Sequence, residues 1–93
     1  SGVFAAVEAL TNLGAEAFVH DPLYSDEELN SLRLKPYHFG QNIDAAIVQA
    51  NHLIYAEISQ QDLPGIRTIL DGREILIKDN WSKIEFHLIG NAI

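Results

Sequence analysis

The sequence predicts an α/β chain with a mostly parallel sheet, and three observations carry that prediction. The opening run "SGVFAAVEALTNLGAEAFVHDP" places a helical apolar stripe before a glycine, then a short apolar segment, then an acidic residue. The segment "IDAAIVQA" at 43–50 is apolar on both alternating faces, as strands covered on both sides are. Short apolar runs then alternate with short helical or turn segments to the end, the pattern of one layered α/β sandwich.

Each element has a local reason. Val3, Ala6, Val7, Leu10 and Leu13 recur at three- and four-residue steps, which predicts a helix, with Ser1 as N-cap and Gly14 as the C′ stop. Residues 15–20 (AEAFVH) are short and mostly apolar, as a buried strand should be. In "YSDEEL", Ser25 and Glu28 have capping-box spacing and Tyr24 and Leu29 have that of a hydrophobic staple, so a helix is expected over 26–32. A strand is expected at 43–50. "HLIYAEI" follows as a short helix or irregular turn, closed by Pro64-Gly65. "IRTIL" at 66–70 and "KIEFHLIG" at 83–90 predict two more strands, the last with Ile84, Phe86 and Leu88 on one side. No repeat or flexible linker interrupts the chain, so residues 1–93 are expected to form a single domain.

Composition narrows the function classes. Ninety-three residues, 47% of them hydrophobic, suffice for one small domain with a modest core. No stretch approaches the roughly 20 apolar residues of a membrane span. No leader of the secretory kind is visible. The expectation is a cytoplasmic chain without a membrane partner. Six basic against thirteen acidic residues give a net charge of −7, which argues against a nucleic-acid partner. With no cysteine, the chain offers no disulfide, thiolate metal site or cysteine nucleophile. With no methionine, it is expected to be a piece of a longer protein, with Ser1 a cut point.

Ligands of open α/β sheets sit outside the carboxyl ends of the strands. Three polar stretches are expected there: His20-Asp21-Pro22, Gln49-Ala50-Asn51-His52 and Asp71-Gly72-Arg73. Asp21 stands where nucleotide folds place a ribose-binding acid, although Asp-Pro also simply begins a turn. Arg73 offers a planar fork suited to phosphate or carboxylate. Its structural alternative is a surface arginine paired with Asp71 or Glu74. His52 is either a packing residue or an acid–base group. The four histidines, at 20, 38, 52 and 87, have no metal-ligand spacing, and no serine or lysine sits in a nucleophile motif. No catalytic residue and no metal site is therefore expected in the chain.

Three of these runs together, "LTNLGAEAFVHDP", "DAAIVQANHLIYAEI" and "ILDGREIL", resemble the C-terminal domain of the UDP-glucose/GDP-mannose dehydrogenase family. Members typically carry a "GAEV-x-V-x-DP" strand, an "AD-x-x-V-x-x-T-DH-x-x-F" strand and turn, and a "DGRN" turn, in that order. The matches span residues 8–76. The resemblance implies a Rossmann-like three-layer sandwich that lacks its first central strand, which would lie upstream. The catalytic cysteine and lysine, and the NAD-binding domain, would also lie upstream. The parent would be a homo-oligomeric enzyme oxidising a nucleotide hexose to the uronic acid, with NAD as acceptor. This chain would hold the UDP moiety of the substrate, with no cofactor of its own. Arg73 matches the family's substrate-contacting arginine, and Asp71 and Gly72 match its turn; Asp21 and His52 complete the implied site. Asn51 departs from the usual aspartate, and Glu74 from the common asparagine.

A sheet without its central strand has open edges, and open edges recruit strands. The expectation is strand exchange between copies, closure of the gap by 43–50 pairing onto 15–20, or pairing with upstream residues. Two other functions stay open: a non-catalytic Rossmann-like interaction domain, and a small NAD- or acyl-binding domain of an unrelated dehydrogenase or ligase.

Overall fold

The computed structural model describes residues 2–88. They form two compact units, one ending at His38 and the other starting at Phe39.

The first unit holds both α-helices. Helix α1 (Val3–Asn12) half-buries Val3, Ala6, Val7 and Leu10, as their spacing predicts, but no residue of it is fully buried. Leu13, expected on the same stripe, is 85% exposed. It is the C-cap, where the helical turn has already ended. Gly14 then takes φ +93, and the amides of Gly14 and Ala15 donate to the carbonyls of Thr11 and Leu10, both at 3.0 Å. That pattern is a Schellman stop. Ser1, the expected N-cap, lies outside the described residues; Gly2 occupies the cap position.

Helix α2 (Asp26–Ser31) begins with the expected capping box. The Glu28 amide donates to Ser25 Oγ at 3.1 Å, and the Ser25 amide donates to Glu28 Oε1 at 2.9 Å. Three acidic residues in the first turn complement the helix dipole. The helix ends as α1 does, with Arg33 and Leu34 amides donating to Asn30 and Leu29 carbonyls, but the left-handed residue is now Arg33, at φ +64. Leu29, Leu34 and Tyr37 are the buried apolar residues of this unit. So small a core leaves the cap a visible share of the unit's stability. Ser25→Ala should therefore cost about 1 kcal/mol, read as a lower helix-melting midpoint by circular dichroism. An unchanged midpoint would show that the box contributes nothing.

The strand expected at 15–20 does not form. Only Val19 pairs, in a single parallel bridge to Pro36, where the Val19 amide donates to Lys35 O at 2.7 Å and the Tyr37 amide to Val19 O at 2.8 Å. The reason is the lack of a partner of matching length, since a strand exists only by its ladder. Residues 15, 16 and 18 are exposed, and Lys35 and Glu16 form only a solvent-exposed pair at 3.2 Å.

The second unit holds a three-stranded, all-parallel sheet in the order β1 (Ala45–Val48), β2 (Thr68–Asp71), β3 (Glu85–Leu88). The register sets Ala45 against Thr68 and Thr68 against Glu85. The chain is therefore α/β with an open parallel sheet. The crossovers carry 3₁₀ turns at Leu53–Glu57, Gln60–Asp62 and Lys78–Asn80. Pro64-Gly65 makes the expected turn into β2: Gly65 has φ +85 and the Ile66 amide donates to Leu63 O at 3.1 Å, as a type II turn requires. A Cβ on Gly65 would also meet Ile43 O at 3.3 Å.

The central strand carries the core. Ile69 is fully buried, and Tyr55, Ile58, Leu63, Ile66 and Trp81 are buried in the same unit. Ile84 and Phe86 are half-buried while Glu85 and His87 are exposed, as the alternation predicts for β3. Residues 89 and 90 of that expected strand lie outside the described residues. One expectation needs correction here. β1 is not covered on both faces: Ala46 and Val48 are half-buried, whereas Ala45 and Ile47 are exposed. Its four residues pair with β2 alone among the described strands, and apolar composition did not by itself place a second layer over it.

Candidate functional site

Parallel pairing brings two of the three expected polar stretches to one edge. Val48 is the register partner of Asp71, so β1 and β2 end level with each other. The Gly72 amide donates to Val48 O at 3.0 Å, extending the pairing by one bond past β2. Gln49–His52 and Asp71–Arg73 therefore leave the sheet side by side.

Asp71 is fully buried, and its contacts explain why. Its Oδ1 accepts from the Arg73 amide at 3.1 Å and its Oδ2 from the Leu76 amide at 2.9 Å. One carboxyl thus closes the loop after β2 on itself, satisfying two part-buried backbone donors. Gly72 is the residue between carboxyl and clasped amide. Arg73 is exposed, and among the described residues its guanidinium makes no ion pair. Neither pairing that would have made Arg73 an ordinary surface arginine, with Asp71 or with Glu74, occurs among the described residues.

Glu74, next in the loop, has φ +55. A left-handed conformation costs an ordinary residue roughly 1–2 kcal/mol, and asparagine tolerates it best after glycine. Glu74→Asn should therefore stabilise the second unit by about 0.5–1 kcal/mol, measured as an increased urea midpoint. A lower midpoint would show that the Glu74 side chain contributes more than its backbone strain costs.

His52 is half-buried beside β1 and stands edge-on to the buried Tyr55 ring, with centroids 5.5 Å apart and planes at 80°. Its carbonyl accepts from the Tyr55 amide at 3.0 Å, opening the first 3₁₀ turn. Its ring therefore packs against Tyr55. Asp21 belongs to the first unit. There its Oδ1 accepts from the Leu23 amide at 2.9 Å and its carbonyl from the Tyr24 amide at 3.2 Å, which is the Asp-Pro turn chemistry.

Two features carried no usable sequence signal. Ser59, Gln60, Gln61, Asn80 and Ser82 line an open depression of about 450 Å³, away from Arg73 along the chain. Gln60 Oε1 there accepts from the Ser82 amide and hydroxyl, at 3.0 and 3.3 Å. Trp81, between two of the lining residues in sequence, is buried, and its Nε1–H has no acceptor among the described residues. Uncharged polar residues scattered over 59–82 form no motif, so neither feature was visible beforehand. Among the described residues there is no cluster of three or more metal-ligating side chains, and no helix long and apolar enough to cross a membrane.

Comparison of the chain with protein-family models, with curated proteins and with solved structures found no match.

Proposed function

We propose that the chain is a substrate-binding piece of an NAD-dependent nucleotide-sugar 6-dehydrogenase, in which Arg73 engages the diphosphate of a UDP-sugar. The observation that carries the reading is the loop after β2. Asp71 spends both carboxyl oxygens on the Arg73 and Leu76 amides, which fixes the backbone at Arg73 and leaves its guanidinium exposed at the carboxyl edge of a parallel sheet. An arginine fork on a preorganised loop suits a diphosphate. The left-handed Glu74 supports the same reading, since asparagine is common at that position of the "DGRN" turn that this stretch resembles. In this reading the sheet is part of a Rossmann-like three-layer sandwich, completed by residues outside the chain.

NAD is not assigned to these residues. The chain has no G-x-G-x-x-G turn to receive a dinucleotide pyrophosphate, so the nicotinamide chemistry belongs to the rest of the enzyme. The chain's own part is to bind and orient the nucleotide end of the substrate.

One observation favours a second reading, a non-catalytic interaction domain. Asp71 turns both carboxyl oxygens onto its own loop, so part of the polar edge is already satisfied from within. Calorimetric titration with UDP, UDP-glucose, GDP-mannose and NAD separates the two. Binding of a uridine nucleotide, weakened roughly 10- to 100-fold by Arg73→Ala with an unchanged melting temperature, is the expected result. Binding of NAD alone would instead indicate an unrelated dinucleotide-binding domain. No binding of any nucleotide would leave the interaction domain. In the longer enzyme, NADH formation from a UDP-hexose should show a raised KM or lost turnover in the same variant.

A further inference from the structure

We draw no further inference here: the strongest candidate, the exposed apolar edge strand Ala45–Val48 with Ile47 43% exposed, is an unpartnered face, and nothing in the structure shows what covers it.

Discussion

Asp71→Ala is expected to destabilise the second unit by about 3 kcal/mol, because it leaves the Arg73 and Leu76 amides without their acceptors and each such loss costs roughly 1–3 kcal/mol. For a chain of this size that corresponds to a fall in melting temperature of more than about 10 °C. Asp71→Asn should lose less. It keeps one oxygen to accept, while its amide nitrogen faces a backbone donor it cannot satisfy. The single tryptophan makes the measurement direct: Trp81 is buried in this unit, so its fluorescence reports the unfolding of this unit. Under the proposed function, Asp71→Ala should also weaken binding of a uridine nucleotide, by releasing the loop that holds Arg73. Under the same proposal, Arg73→Ala should weaken it without moving the melting temperature. A fully stable Asp71→Ala variant would mean that the loop does not depend on the buried carboxyl.

Ile69→Ala is expected to be equally severe, at about 2–5 kcal/mol. Ile69 has no exposed surface and lies in the middle strand, flanked by β1 and β3, so truncating its enclosed side chain leaves a cavity in the core. Against a total of roughly 5–15 kcal/mol for a folded domain, that loss can unfold the unit at physiological temperature. Two comparisons keep the test interpretable. Ile69→Val should cost about 0.5–1.5 kcal/mol. Ile47→Ala, on the exposed face of β1, should cost well under half of the Ile69→Ala value. Equal losses at positions 47 and 69 would show that Ile47 is covered in solution.

These cases also mark what could be read beforehand. Signals contained within four or five residues were legible: the Ser25–Glu28 capping box, the Gly14 stop and the Pro64-Gly65 turn all form where their residue types require. Strand positions at β2 and β3 were legible too, because an apolar run bounded by turn residues has few alternatives at that length. The segment at 15–20 was misread for a physical reason. A helix closes its own hydrogen bonds, but a strand needs a partner elsewhere, and residues 15–20 find one only at Val19. The exposed face of the expected core strand at 43–50, with Ala45 and Ile47, follows the same logic, since "DAAIVQA" states that two faces are apolar and not what lies over them. At the site, Asp71 was picked out as part of a turn; that both of its oxygens would be consumed by backbone depended on the path from Gly72 to Leu76, which no residue pattern encodes.

The parallel sheet also determines how the protein reaches its native state. A hairpin forms its first rung between near neighbours, but here Ala45 must find Thr68, and Thr68 must find Glu85, across connections that contain only 3₁₀ turns. Ordering such loops precedes any gain from pairing, so topologies of this kind fold slowly. Trp81 fluorescence should accordingly return slowly on refolding, leaving an interval in which the apolar run of β1 is exposed to other chains before its own partner arrives.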